Sequence, residues 1–118
     1  MLLFSTSYIV STSRLEKRIE KNIAPYQAAL QFMNDLDPAK EINDHDVFVF
    51  FNHSKLYKKQ DERKLKNTIQ ILKNIRHSKK LSSTAATELT TTINSLEKII
   101  LFIRNYAGTY AALMSGII

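Results

Sequence analysis

The sequence predicts an all-α protein: a single-domain antiparallel helical bundle of about four helices over residues 1–118, with a long C-terminal helix and a kink at Pro25. Three observations carry this reading. The chain has only two glycines and two prolines in 118 residues, whereas sandwiches, barrels and hairpin-rich folds use those residues at their many turns. Apolar residues recur at spacings of three and four in several long segments, which is the period of a helix with one buried face. The composition is globular, 44% hydrophobic and 24% charged with no low-complexity tract, and 118 residues suit one core better than two.

The first helix is expected at Ser13-Arg14-Leu15-Glu16, which reads as a capping box. Leu15, Ile19, Ile23, Tyr26, Leu30 and Met33 then form one stripe that passes through Pro25. Proline lacks the amide donor and its ring clashes with the preceding turn, so this segment is one kinked helix or two short ones. Asp37-Pro38 reads as an N-cap followed by proline at the first helical position, which places the start of a second helix there. Val47 to Phe51, VFVFF, suits a short buried strand by propensity. Helix is the preferred reading, because only the N-terminal YIV offers a strand to pair with it. A third helix is expected from about Asp61 to Lys79, with Leu65, Ile69, Leu72 and Ile75 inward. LSST, at Leu81 to Thr84, marks the break before the last helix.

That last segment has the cleanest pattern. Leu89, Ile93, Leu96, Ile100, Ile103, Ala107, Tyr110, Met114 and Ile117 alternate steps of four and three, and all are expected to face the core. Both glycines, Gly108 and Gly116, fall in this helix, eight residues apart with Ala112 midway. Each costs about 1 kcal/mol relative to alanine in a helix interior. Together with Ala107, Ala111 and Ser115 they make a smooth strip against which another backbone can lie closely. That backbone belongs either to the chain's own bundle or to a second subunit.

The net charge of +6 invites polyanions. Ten Lys or Arg lie between Lys55 and Lys80 against two acids, whereas Asp35 to Asp46 holds five acids against one Lys. Lys59, Lys66, Lys73 and Lys80 recur every seven residues, which on a helix makes a nearly straight row with Arg63 and His77 beside it. Such a ridge is a solvated outer face in the first reading and a sequence-independent phosphate contact in the second. No helix-turn-helix, RRM or KH pattern supports base readout.

Other chemistry finds little support. Asp44, His45, Asp46 and His53 lack the four-residue histidine spacing of a helical zinc site, so Asp44 or Asp46 is expected to cap a helix instead. With no glycine before Gly108, the phosphate-binding loops and the nucleophile elbow have no place in the chain. The absence of cysteine excludes disulfides and thiolate chemistry and is compatible with the cytoplasm or another reducing compartment. The apolar opening MLLFSTSYIV lacks a preceding basic residue and a small-residue cleavage pattern, so burial is expected rather than secretion. Residues 99–118 have the length of a membrane span, but Arg104 and several polar residues interrupt them.

The expectation is a non-enzymatic protein that needs no cofactor and takes part in protein–protein interaction or assembly through its C-terminal helix, with a protein partner or a second copy of itself. The alternatives are nucleic-acid association through the Lys59, Arg63, Lys66, Lys73 and Lys80 ridge, and membrane insertion of residues 99–118.

Overall fold

The structure is a computed structural model that describes residues 14–78 and 80–116. It is helical throughout these residues: α1 (Arg14–Ile23), a 3₁₀ turn (Ala24–Tyr26), α2 (Gln27–Asp35), α3 (Asp44–Ser54), α4 (Lys59–Arg76) and α5 (Ser83–Ser115). The proposed Ser13 cap, the burial of the first ten residues and the inward position of Ile117 lie outside the described residues.

Pro25 resolves the first ambiguity into two helices. The backbone tightens into one 3₁₀ turn around the proline, and α2 resumes at Gln27. The stripe survives the break, since Ile19, Ile23, Tyr26 and Leu30 are all buried.

The expected helix start at Asp37-Pro38 is a correction. Asp37 closes a single turn, in which its carbonyl accepts from the Lys40 amide at 3.0 Å and its carboxylate from the Ala39 amide at 3.0 Å. The helix begins at Asp44 because Asn43 makes the better cap. The Asn43 side chain accepts from the Asp46 amide at 2.9 Å, and the Asp46 carboxylate accepts from the Asn43 amide at 3.1 Å. Ile42 and Val47, the two positions of a hydrophobic staple, both belong to the core assembly. Asp46 thus takes part in capping, as its partner rather than as the cap itself.

VFVFF is helix, as preferred. Val47, Phe50 and Phe51 are buried and Phe48 is exposed; spacings of three and four define a helical face, whereas a strand would bury alternate residues. Phe50 and Phe51 meet Phe102 of α5 at ring-centre distances of 4.4 and 6.0 Å, and Phe32 of α2 meets Phe50 and Phe102 at 5.2 and 5.5 Å. Tyr110 continues the series, 5.0 Å from Phe51, and Tyr57 stacks on Tyr110 at 5.7 Å. The chain leaves α3 through Lys55, at a left-handed φ of 62°, whose amide still donates to the Phe51 carbonyl at 2.9 Å.

α4 buries Leu65, Ile69, Leu72 and Ile75, as the stripe requires, and Thr68 beside them. It spans Lys59–Arg76, so Lys80 lies beyond its end. α5 is capped by Ser82, whose hydroxyl accepts from the Ala85 amide at 3.1 Å. At 33 residues it is about 50 Å long, which matches the 51 Å long axis of the molecule. Ion pairs fix its direction against α4: Lys73 meets Glu97 at 3.3 Å and Glu62 meets Arg104 at 3.2 Å. As one index rises the other falls, so the two helices are antiparallel.

The α5 stripe is a core seam only in part. Leu89, Ile93, Leu96, Ile100 and Ile103 are buried, and Ile99 and Phe102 widen the face to meet α2 and α3. Ala107 and Tyr110 are half-buried, and Met114 is 58% exposed. The pattern continues past Ile103, but the shorter helices end before α5 does.

Two substitutions test these local causes. Asn43→Ala should cost about 1 kcal/mol and lower the melting temperature by about 4 °C, measured by circular dichroism. Phe50→Ala should cost about 3–5 kcal/mol, a large share of the about 5–15 kcal/mol that stabilises a domain, read by urea denaturation.

Candidate functional site

Two surfaces carry the residues singled out in the sequence, the outer face of α5 and the polar faces of α4.

On α5, Leu101, Asn105, Gly108, Ala112 and Ser115 follow steps of four and three of their own, on the side nearly opposite the core seam. Leu101 is 55% exposed, and Gly108 is open. A Cβ built on Gly108 meets nothing within 4 Å, so no part of the described chain lies against it. Ala111 is exposed on the flank of this face, and Ala107 belongs to the core side. Gly116 needs a correction. It is not a helix-interior residue but the C-cap, at a φ of 75° with its amide returning to the Ala112 and Leu113 carbonyls. Its backbone conformation alone accounts for glycine there, so the smooth strip rests on Gly108, Ala112 and Ser115. From Asn105 to Gly116 no side chain is charged.

The lysine ridge is shorter and less free than its sequence spacing implied. Lys59, Lys66 and Lys73 lie along α4, while Lys80 sits in the turn beyond it. Lys66 pairs with Glu62 at 3.3 Å and Lys73 with Glu97 at 3.3 Å, and Arg104 takes the same Glu62 oxygen at 3.2 Å. Lys66, Lys73, Arg104 and Glu97 line a groove of about 410 Å³ between α4 and α5, with Ile69, Ile100 and Leu101 at its apolar parts. The Arg104 and Lys66 hydrogen bonds hold the Glu62 carboxyl below its ordinary value. Lys59 lines a smaller recess with Tyr57, Glu62 and Arg104, and Arg63 is exposed.

The other flank of α4 is different, and sequence reasoning missed it. There Arg18, Lys21 and Asn22 of α1 face Lys64, Asn67 and Ile71 of α4 across a groove of about 510 Å³. Among the described residues no carboxylate lines it. Arg14, Arg18 and Lys21 share one face of α1 by their spacing, and Glu16 and Glu20 share another. That segregation was readable; the meeting with Lys64 was not, because it depends on which helix α1 packs against.

Asp46 has a structural role. Its carboxyl is held below the usual range by the Asn43 amide, with Lys40 adding an ion pair at 3.0 Å. His45 and His53 are exposed, and among the described residues no group of three or more His, Cys, Asp or Glu is placed to hold a metal ion. The threonine hydroxyls of α5 donate inward: Thr87, Thr90, Thr91 and Thr92 bond to carbonyls four residues back at 3.0–3.2 Å. Among the described residues no helix is long and apolar enough to cross a membrane.

No family model, curated protein or solved structure matches this chain.

The Glu62 network makes a pH prediction. A depressed carboxyl pKa contributes stability that is present above the unfolded value, near 4.5, and is lost as pH falls through the lower folded value. Glu62→Gln should therefore cost up to about 1 kcal/mol at neutral pH, and urea titrations should show that difference vanishing on acidification below pH 4.5.

Proposed function

We propose that this protein is a non-enzymatic assembly component whose α5 docks, through its outer face, against the same face of a second copy. The single observation that carries the reading is Gly108, a helix-interior glycine whose open side meets nothing in the described chain. Glycine weakens a helix by about 1 kcal/mol at such a position, and no turn or positive φ requires it there. A close approach from outside gives it a purpose.

A second copy suits this surface for two reasons. Two molecules of charge +6 repel over most of their surface, and the uncharged run from Asn105 to Gly116 offers them a neutral place to meet. The exposed Leu101 adds apolar area at the start of the same face. The size of the seam sets the expected strength. Leu101 to Ser115 covers about 21 Å of helix, a narrow strip beside the roughly 800 Å² per partner of a standard interface. The pairing is therefore expected to be concentration-dependent, with a Kd of about micromolar or weaker.

Gly108→Leu separates association from folding. It should raise monomer stability by about 1 kcal/mol, because the side chain projects into open space, and it should abolish the dimer in sedimentation equilibrium. A wild-type protein that stays monomeric at high concentration, or a Gly108→Leu variant that associates as well as wild type, overturns the proposal. Gly116 is a poor site for this test, since a side chain at its φ of 75° strains the last turn by about 1–2 kcal/mol.

A further inference from the structure

We propose that the groove between α1 and α4 is a second interaction surface, which takes the phosphodiester backbone of a nucleic acid. Its walls carry Arg18 and Lys21 on one side and Lys64 on the other, all exposed. Among the described residues none of the three is paired with a carboxylate. The contrast with the opposite flank of the same helix is the core of the argument. In the α4–α5 groove each of Lys66, Lys73 and Arg104 faces Glu62 or Glu97. In the α1–α4 groove no acid of the described residues intervenes, and Asn67 adds a neutral donor among the cations.

The arrangement places like charges on facing helices, which weakens folding unless something neutralises them. α1 keeps its acids, Glu16 and Glu20, on a different face from Arg14, Arg18 and Lys21, so the chain's own charges are sorted away from the groove rather than across it. An anionic chain lying between the helices supplies the missing counter-charge.

The choice of nucleic acid over a lipid surface follows from shape and from the missing apolar residues. A helix that binds a membrane surface places large apolar side chains beside its basic ones. Among the described residues the exposed large apolar side chains are Phe48, Tyr57, Leu101 and Met114, none of them on α1 or α4. A concave, basic groove instead suits a linear row of phosphates. Recognition would be of the backbone and not of the bases, because the one aromatic ring lining the groove, Tyr26, is buried and offers no platform for stacking. Duplex DNA, with its dense phosphate charge, is the fitting probe.

The test compares two charge-matched triple variants by fluorescence anisotropy with a labelled random-sequence duplex over a salt series. Arg18→Gln with Lys21→Gln and Lys64→Gln removes the groove, and Lys59→Gln with Lys66→Gln and Lys73→Gln removes the ridge. All six positions lie on α1 or α4, and glutamine is a good helix former, so both variants should keep the wild-type circular dichroism. The groove triple should weaken binding at least tenfold and reduce the slope of log K against log salt by about 2–3, since each neutralised phosphate contributes about 0.9 to that slope. The ridge triple should change both far less. Lys64→Glu alone, which tests the groove with a single change, should weaken binding more than Lys66→Glu. Equal losses from the two triples, wild-type affinity in the groove triple, or no duplex binding at low salt would each overturn the proposal. So would wild-type protein that binds phosphatidylserine vesicles but not duplex.

Discussion

Phe50 of α3 and Phe102 of α5 meet with ring centres 4.4 Å apart, joined by Phe32 from α2 and Phe51 from α3. Two consecutive helices, α2 and α3, and the distant α5 converge on this contact. Phe50 and Phe51 are fully buried, and edge-to-face and tilted ring pairs contribute about 0.5–1.5 kcal/mol each beyond the area they bury. The short α3 has little to hold it otherwise: its apolar residues crowd several sides, and it has only eleven residues, fewer than an isolated helix needs to be stable in water. Its capping box at Asn43 and Asp46 sets where it begins, and the aromatic contact sets which face turns inward. The position of α2, on the far side of the Pro25 turn, follows through Phe32.

The same contact explains the shape of α5. Phe102 and the neighbouring Ile99 and Ile103 are buried where α2 and α3 cross the long helix. Tyr110 is held at the edge of the aromatic series by Phe51 and Tyr57. Beyond it the helix runs on to Ser115 with its stripe intact but with few elements left to cover it, and Met114 stands in the open. This half-covered end lies on the core side of α5, whereas the proposed self-association would draw on the outer seam from Leu101 to Ser115, which faces away from the bundle along its length.

Charge is distributed around α4 with a similar asymmetry. On the α5 flank the antiparallel alignment brings Glu62 and Glu97 against Lys66, Lys73 and Arg104, and the cations there are largely matched. On the α1 flank Lys64 meets Arg18 and Lys21 with no carboxylate of the described residues between them. The two flanks of α4 therefore differ: one has its cations matched by carboxylates, and the other brings three cations together without one among the described residues.

The periodicities at Leu65 to Ile75 and Leu89 to Ile103 were enough to place α4 and α5 and to choose their buried faces, because a helix of that length must hide a stripe of that period. The scarcity of glycine and proline was enough for the all-helical class. Pro25 announced its own break, since the lost donor and the ring clash are local. The sequence alone could not choose between Asp37 and Asn43 as the start of α3. Both are competent caps, and the reciprocal bond from Asp46, together with burial of Val47 and the packing of the half-buried Ile42 against the core, favours the second. Nor could it show that Gly116 ends a helix while Gly108 lies within one, as that depends on where the last carbonyls find donors. The regular spacing of Lys59, Lys66, Lys73 and Lys80 suggested a free ridge, yet helix length removed Lys80, and Glu62 and Glu97 engaged two of the others. The groove of Arg18, Lys21 and Lys64 left no trace as a motif, because its two walls lie far apart along the chain. Local patterns determined the helices and their inward faces; which outward faces meet, and so which charges are cancelled and which are left, was decided only when the helices packed.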